Sequence, residues 1–277
     1  EIEGIHHGTY RYDMWWWLNR GYTPAGVEAW NCVRALDYLE SRKDIDGGSM
    51  GVFGSSGGGT QTSYMLGLDD RIQVASVCSY YTRREKVLEI YGPSDGCQHI
   101  PYEGREKLEI ADFVMMMAPR PVLIMSGKYD FVDFYGALEA FDELKSVYTV
   151  LGSPEKAAMF SVEAGHGMPE PKKQALVRWF RQWLRGDGPA DFPPAKEILS
   201  LDKLQCSSTG QVLTAYADAV SVHGHHYQLA QDMADEREAF CRPGPERVRE
   251  KARELLGFTW PNEKLTAEQT GEFSMRT

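Results

Sequence analysis

Apolar positions along this chain follow two alternating rhythms. Met50 to Phe53, Ile72 to Val77, Pro121 to Ser126 and Ala158 to Val162 are short apolar runs of strand length. Between them, apolar residues return every three or four positions. Ala29, Val33, Leu36 and Leu39 predict a helix over 24–42, a helix-compatible run starts near Thr60, another helix covers about 134–147, and Leu176, Phe180, Trp183 and Leu184 predict a closing amphipathic helix. Thr23 followed by Pro24 reads as an N-cap and first helical position. Strands alternating with helices predict an α/β fold with a mostly parallel sheet and helices on both faces. About four strands are visible, so the sheet is expected to be incomplete on its N-terminal side.

The remaining segments are less regular. Residues 1–23 are rich in Gly, His and aromatics, including Trp15, Trp16 and Trp17, and read as a loop with a short helix or irregular cover. The segment from Ser79 to Arg120, punctuated at Gly92-Pro93 and Gly96, is expected over the carboxyl ends of the strands, where ligands enter open α/β sheets. After Gly186 the character changes. Gly188-Pro189 and Pro193-Pro194 mark a linker, a hairpin is predicted over 200–217 around Ser208-Thr209-Gly210, and two helices follow at about 227–240 and 244–256. The division expected is a core over 1–186 and a linker, hairpin and helical extension over 187–277.

Composition narrows the chemistry. The 277 residues carry 30 Lys and Arg against 40 Asp and Glu, a formal net charge of -10, with no long basic run. That argues against nucleic acid or an anionic membrane as the main partner, and no apolar run of about 18 residues predicts a bilayer span. Cys32, Cys78, Cys97, Cys206 and Cys241 are widely spaced and form no zinc pattern. Cys78 to Cys97 is the pairing to expect if the protein is exported, with buried thiols the commoner alternative. The start at Glu-Ile-Glu leaves the compartment open.

Gly54-Ser55-Ser56-Gly57-Gly58 is the decisive string. It stands between a predicted strand and a predicted helix, the context that makes a G-x-S-x-G pattern a nucleophile elbow with Ser56 at its tip. A nucleophilic serine needs a base, and the base needs an orienting acid. His166, in Ala164-Gly165-His166-Gly167, follows one strand, and Asp130 follows the strand before it, with Asp133 as a rival acid. The Gly57 N–H, at the start of the elbow helix, is a candidate oxyanion donor. A second donor is expected from the loop of an earlier strand. Ser55, Trp15, Trp16 and Tyr80 are candidate walls of a substrate pocket. His6 and His7, beside Gly8, read as pocket or structural residues. His223, His225 and His226 lack the acidic partners of a metal set and read as exposed residues at a helix start. No metal or cofactor is expected.

Residues 21–31 (Gly-Tyr-Thr-Pro-Ala-Gly-Val-Glu-Ala-Trp-Asn), the elbow, and Ala118-Pro119-Arg120-Pro121 together resemble the bacterial acetyl xylan esterase-like α/β-hydrolases, relatives of the prolyl oligopeptidase-type serine hydrolases. The resemblance covers about residues 1–185. It implies hydrolysis of carboxylic esters, often acetyl groups on plant polysaccharide, without a metal, and carries nucleophile, acid and base to Ser56, Asp130 and His166. In that family further strands precede the helix at 24–42. A companion polypeptide, or a homo-oligomer, is therefore expected to complete the sheet. Residues 200–277 resemble the connector that follows the hydrolase core in larger homologues. A serine peptidase and a non-catalytic assembly module are the competing readings.

Overall fold

The computed structural model describes residues 23–90, 95–188 and 198–257, with residues 266, 268 and 271. The chain divides into two compact units, Glu1–Leu204 and Gln205–Thr277.

The first unit is built on four parallel strands, β1 (Met50–Ser55), β2 (Ile72–Cys78), β3 (Val122–Gly127) and β4 (Ala157–Val162), laid side by side in chain order. Parallel neighbours need crossovers, and helices supply them: α2 (Gly57–Leu68) between β1 and β2, α3 (Arg84–Ile90) and α4 (Ile110–Met115) between β2 and β3, and α5 (Phe134–Val150) between β3 and β4. Helix α1 (Pro24–Ser41) precedes the sheet and α6 (Glu170–Phe180) follows it.

Strand side chains alternate between two cores, as a sheet covered on both faces requires. Ala75, Val77, Val122 and Ile124 face a cluster with Leu36 of α1, Met65 and Leu66 of α2, Val114 of α4 and Leu144 of α5. Val74, Cys78, Leu123 and Met125 face the other way, against Leu176 and Trp179 of α6, with Phe180, Trp183 and Leu184 packed at its margin. Each fully buried Ile, Leu or Met side chain contributes about 1.5–3 kcal/mol.

The helix starts follow local chemistry. Thr23 caps α1 by accepting from Gly26 N at 2.9 Å, with Pro24 at the first position. Strand β3 begins one residue later than predicted because Pro121 has no N–H to offer the ladder; its carbonyl still accepts from Ala75 N at 3.0 Å. The helix predicted at the end of this unit runs through α6 and continues as a π-helical turn, Arg181–Arg185. Helix α7 (Leu201–Leu204) closes the unit's described part.

The predicted hairpin over 200–217 is not formed. Gly210, at φ +74, does make a turn, with its N–H donating to Ser207 O at 3.2 Å, but helical segments flank it: α7 on one side and α8 (Val212–Ala215) on the other. Ala215 N donates to Gln211 O at 2.9 Å, so the backbone closes on itself instead of pairing across the turn. Three helices then stand where two were predicted: α9 (Val222–Asp232), α10 (Ala234–Cys241) and α11 (Pro245–Leu256). The break falls at Met233, whose ψ of 0° departs from the helical value. Ser221 moves the start of α9 forward by accepting from Gly224 N at 3.0 Å. None of the described residues in this second unit is buried.

Candidate active site

Ser56 stands between β1 and α2 at φ 60°, ψ -125°, a conformation that costs a non-glycine residue about 1–3 kcal/mol. Two backbone bonds hold it: Ser56 N donates to Cys78 O at 3.0 Å, and Thr60 N donates to Ser56 O at 3.0 Å. Gly54 makes the bend possible, because a Cβ there would lie 2.0 Å from Gly58 O. Gly57 opens α2, so no turn of helix precedes its N–H to take it up, and the space on its Cα side is open. Ser55, the last residue of β1, is half-buried beside it.

Asp130 follows β3 and His166 follows β4, and His166 Nδ1 lies 2.8 Å from Asp130 Oδ1. The carboxylate side chain is 1% exposed and the imidazole 29%, so the acid is sealed while the ring reaches solvent. Asp130 Oδ1 also accepts from Val132 N at 3.0 Å. Phe131 stacks on the imidazole, centroids 4.3 Å apart and planes inclined by 22°. Asp133 is occupied elsewhere: it caps α5 by accepting from Gly136 N at 2.5 Å. Cap geometry points that carboxylate into the helix start, and Asp130 meets the histidine.

The serine and histidine segments converge on the end of β2. Cys78 accepts from Ser56 N through its carbonyl, and its Sγ lies 3.7 Å from Gly167 O, next to His166. Among the described residues no hydrogen bond joins Ser56 Oγ to His166, whose bond is to Asp130. Such contacts are often long before substrate binds.

Tyr80 is corrected from pocket wall to core residue. It is 5% exposed and packs with Met65, Tyr81 and Val87, because the chain turns inward after β2. Around it Tyr64 and Arg84 form a buried polar group in which Arg84 Nη2 donates to Glu103 Oε2 at 3.2 Å and to Gln98 O at 3.4 Å. Burial pushes the Tyr64 hydroxyl well above its ordinary pKa, with Tyr80 adding to the rise and the Arg84 charge opposing it. Burial also acts to raise Glu103, but the hydrogen bond from His99 and the Arg84 charge outweigh it and hold the carboxyl below its usual range. The Cys97 thiol is pushed up to about 12 by burial and by the nearby Glu28 and Asp95 carboxylates. Cys78 and Cys97 are thiols and no disulfide joins them.

Trp15, Trp16, Trp17, His6 and His7 lie outside the described residues. Among the described residues, no group of three or more His, Cys, Asp and Glu side chains is arranged to hold a metal ion, and no helix is long and apolar enough to cross a membrane. A separate apolar cleft of about 330 Å³, lined by Ala25, Ala29, Tyr64, Leu68, Phe113 and Met116 among others, includes none of the candidate catalytic residues. The stacking of Phe131 on His166 was not legible in the sequence. Its one signal was adjacency to Asp130, and an aromatic in a loop points nowhere until the histidine loop is folded over it.

The sequence model of the prolyl oligopeptidase family matches residues 11–186, more than half of the chain. The chain belongs to the prolyl oligopeptidase family. A relative in Bacillus subtilis (strain 168), "Putative hydrolase YtaP", is 25% identical over 169 residues, covering 60% of this chain and 56% of its own length. Two solved structures share the fold, each with a TM-score of 0.50. A family 15 glucuronoyl esterase from Caldicellulosiruptor kristjansonii is 18% identical, over 65% of this chain and 55% of that one. The glucuronoyl esterase catalytic domain from Hypocrea jecorina is 17% identical, over 61% and 54%. This family member thus spans about half the length of the relatives it matches, and its sheet and crossovers are those of an α/β-hydrolase.

Proposed function

We propose that the chain hydrolyses carboxylic esters, acetylated carbohydrate or other small acyl esters, through Ser56, His166 and Asp130 and an acyl-enzyme. One observation carries the reading: a buried carboxylate bonded at 2.8 Å to a partly exposed imidazole, at the strand ends from which a strained serine elbow also emerges.

In this reading His166 Nε2 takes the Ser56 hydroxyl proton as Oγ attacks the acyl carbon. Asp130 keeps the proton on Nδ1 and stabilises the imidazolium that forms. The tetrahedral oxyanion is met by the Gly57 N–H, a fixed dipole that needs no reorganisation. His166 then protonates the departing alcohol, and water repeats the sequence to release the acid. Phe131 limits rotation of the imidazole by covering one face. The two glucuronoyl esterases act on carbohydrate-linked esters by their names, which favours that substrate class on this fold.

The test is covalent labelling with a fluorophosphonate, expected in the wild-type chain and absent in Ser56→Ala. No labelling of the freshly purified wild type would favour the non-catalytic module. A panel of p-nitrophenyl acetate, acetylated xylan and aminoacyl anilides then ranks the substrates. Turnover of the anilides equal to or above that of the esters would replace esterase by peptidase.

A further inference from the structure

Directly beneath the histidine loop lies a lysine with no access to solvent. Lys172, in the first turn of α6, is 0% exposed. Its Nζ donates to Gly167 O at 3.0 Å and to Ser79 Oγ at 3.1 Å. Among the described residues its hydrogen-bond partners are these two neutral oxygens, and neither is a carboxylate. A buried amine without a counter-ion is costly to keep, so its two acceptors are the point of interest.

Both acceptors border the site. Gly167 follows His166 directly and has φ +119, a conformation only glycine adopts at low cost, so its torsions do not confine the loop by themselves. Its peptide groups are confined from outside. Gly167 N donates to Ser79 Oγ at 3.4 Å, and Gly167 O accepts from Lys172 Nζ and faces Cys78 Sγ. Ser79 is itself anchored to the sheet, its N–H donating to Met125 O at 2.9 Å. Lys172 thereby ties the residue after His166 to the end of β2, where Cys78 O receives the Ser56 N–H.

We propose that Lys172 is a positioning residue: it sets the height of His166 over the sheet, and so the reach of the imidazole toward Ser56. This rests on the esterase reading given above. A rival role, a second Ser–Lys nucleophile formed by Ser79 and Lys172, is excluded by access, since Ser79 is 3% exposed and Lys172 0%. A rival structural role, a mere core plug, is separated by experiment. Methionine matches the length and bulk of lysine but cannot donate to Gly167 or Ser79.

The full chain carrying Lys172→Met is compared with wild type in three measurements: thermal midpoint, kcat and KM on p-nitrophenyl acetate, and the ring 15N shifts of His166, assigned by loss of signal in His166→Asn. The expected result is a folded variant whose kcat falls about 10- to 100-fold with KM within about twofold, as a sub-ångström to ångström displacement of the base would produce. The His166 ring shifts should move toward those of an imidazole weakly bonded to Asp130. Ser79→Ala keeps the Lys172 bond to Gly167 and should lower kcat less. A folded Lys172→Met with wild-type kcat and unchanged ring shifts overturns the proposal. Should that variant not fold, Ser79→Ala decides: unchanged kcat and ring shifts would overturn it equally. The ring shifts need no substrate, so a wild-type chain that turns over no ester sinks the esterase reading while the positional coupling of Lys172 to His166 is still read.

Discussion

The elbow between β1 and α2 and the loop between β4 and α6 leave the same end of the sheet, yet different forces shape them. At the elbow the constraint is steric and local: Gly54 and Gly58 lie four residues apart, and a Cβ on the first would lie 2.0 Å from the second's carbonyl. At the histidine loop Ala164 and Gly165 press on the end of β3, where a Cβ on Gly127 would lie 2.5 Å from Ala164 O, but beside Gly167 there is open space, and that residue is held by hydrogen bonds from α6 and from the end of β2. A sterically forced turn has one conformation. A hydrogen-bonded loop has a preferred one, and it can be loosened one bond at a time.

That contrast can be attacked by substitution. The largest effect is expected at Gly54→Ala, where overpacking against Gly58 should cost on the order of 3 kcal/mol or more and bring ester turnover to background. Thermal melting and fluorophosphonate labelling measure the two parts, and a stable, fully active variant would refute the steric account of the elbow. Asp130→Asn should leave melting close to wild type while lowering kcat by about 10³- to 10⁴-fold, since the amide favours the wrong imidazole tautomer. Steady-state kinetics decide this, and Asp133→Ala, read beside it, should lose helix-cap stability of about 1 kcal/mol rather than chemistry. Gly167→Ala meets no clash but is held at an unfavourable φ, so a cost of about 1–3 kcal/mol in denaturant unfolding is expected. A smaller penalty than at Gly54 sharpens the distinction between the two loops, and an equal one erases it. Phe131→Ala should weaken the hold on the imidazole by about 0.5–1.5 kcal/mol, a roughly two- to tenfold loss in kcat/KM.

The smallest effect concerns the segment that packs beside the elbow. Glu103 is held below its ordinary pKa of 4.5 when folded, so its contribution to stability is fully present above that value and is lost as pH falls through the lowered folded value. Glu103→Gln should therefore be less stable than wild type at neutral pH, with the difference shrinking as acid is added. Unfolding midpoints taken across that range would contradict this if the gap stayed constant.

Much of the fold was legible in the residues. The four apolar runs became the four strands, and Thr23 with Pro24 started α1 where expected. The elbow was legible because its chemistry sits within five consecutive residues. The hairpin over 200–217 was misread because Gly210 marks a turn equally well between helices and between strands, and the flanking segments close their own short helical turns. Tyr80 was misread for a related reason: its place after a strand suggested an open end, whereas the chain bends inward there.

The order of residues alone settled the strand and helix alternation, the elbow, and the succession of candidate serine, acid and histidine, since each of these is a local or directional property of the chain. Which carboxylate meets the imidazole, and that a lysine anchors the loop from below, were settled only when the sheet closed. Asp130 and His166 are 36 positions apart and Ser79 and Lys172 are 93 apart. No periodicity or spacing encodes a contact across such distances; it arises when parallel strands bring their carboxyl ends into one row and the loops that leave them must share the space above.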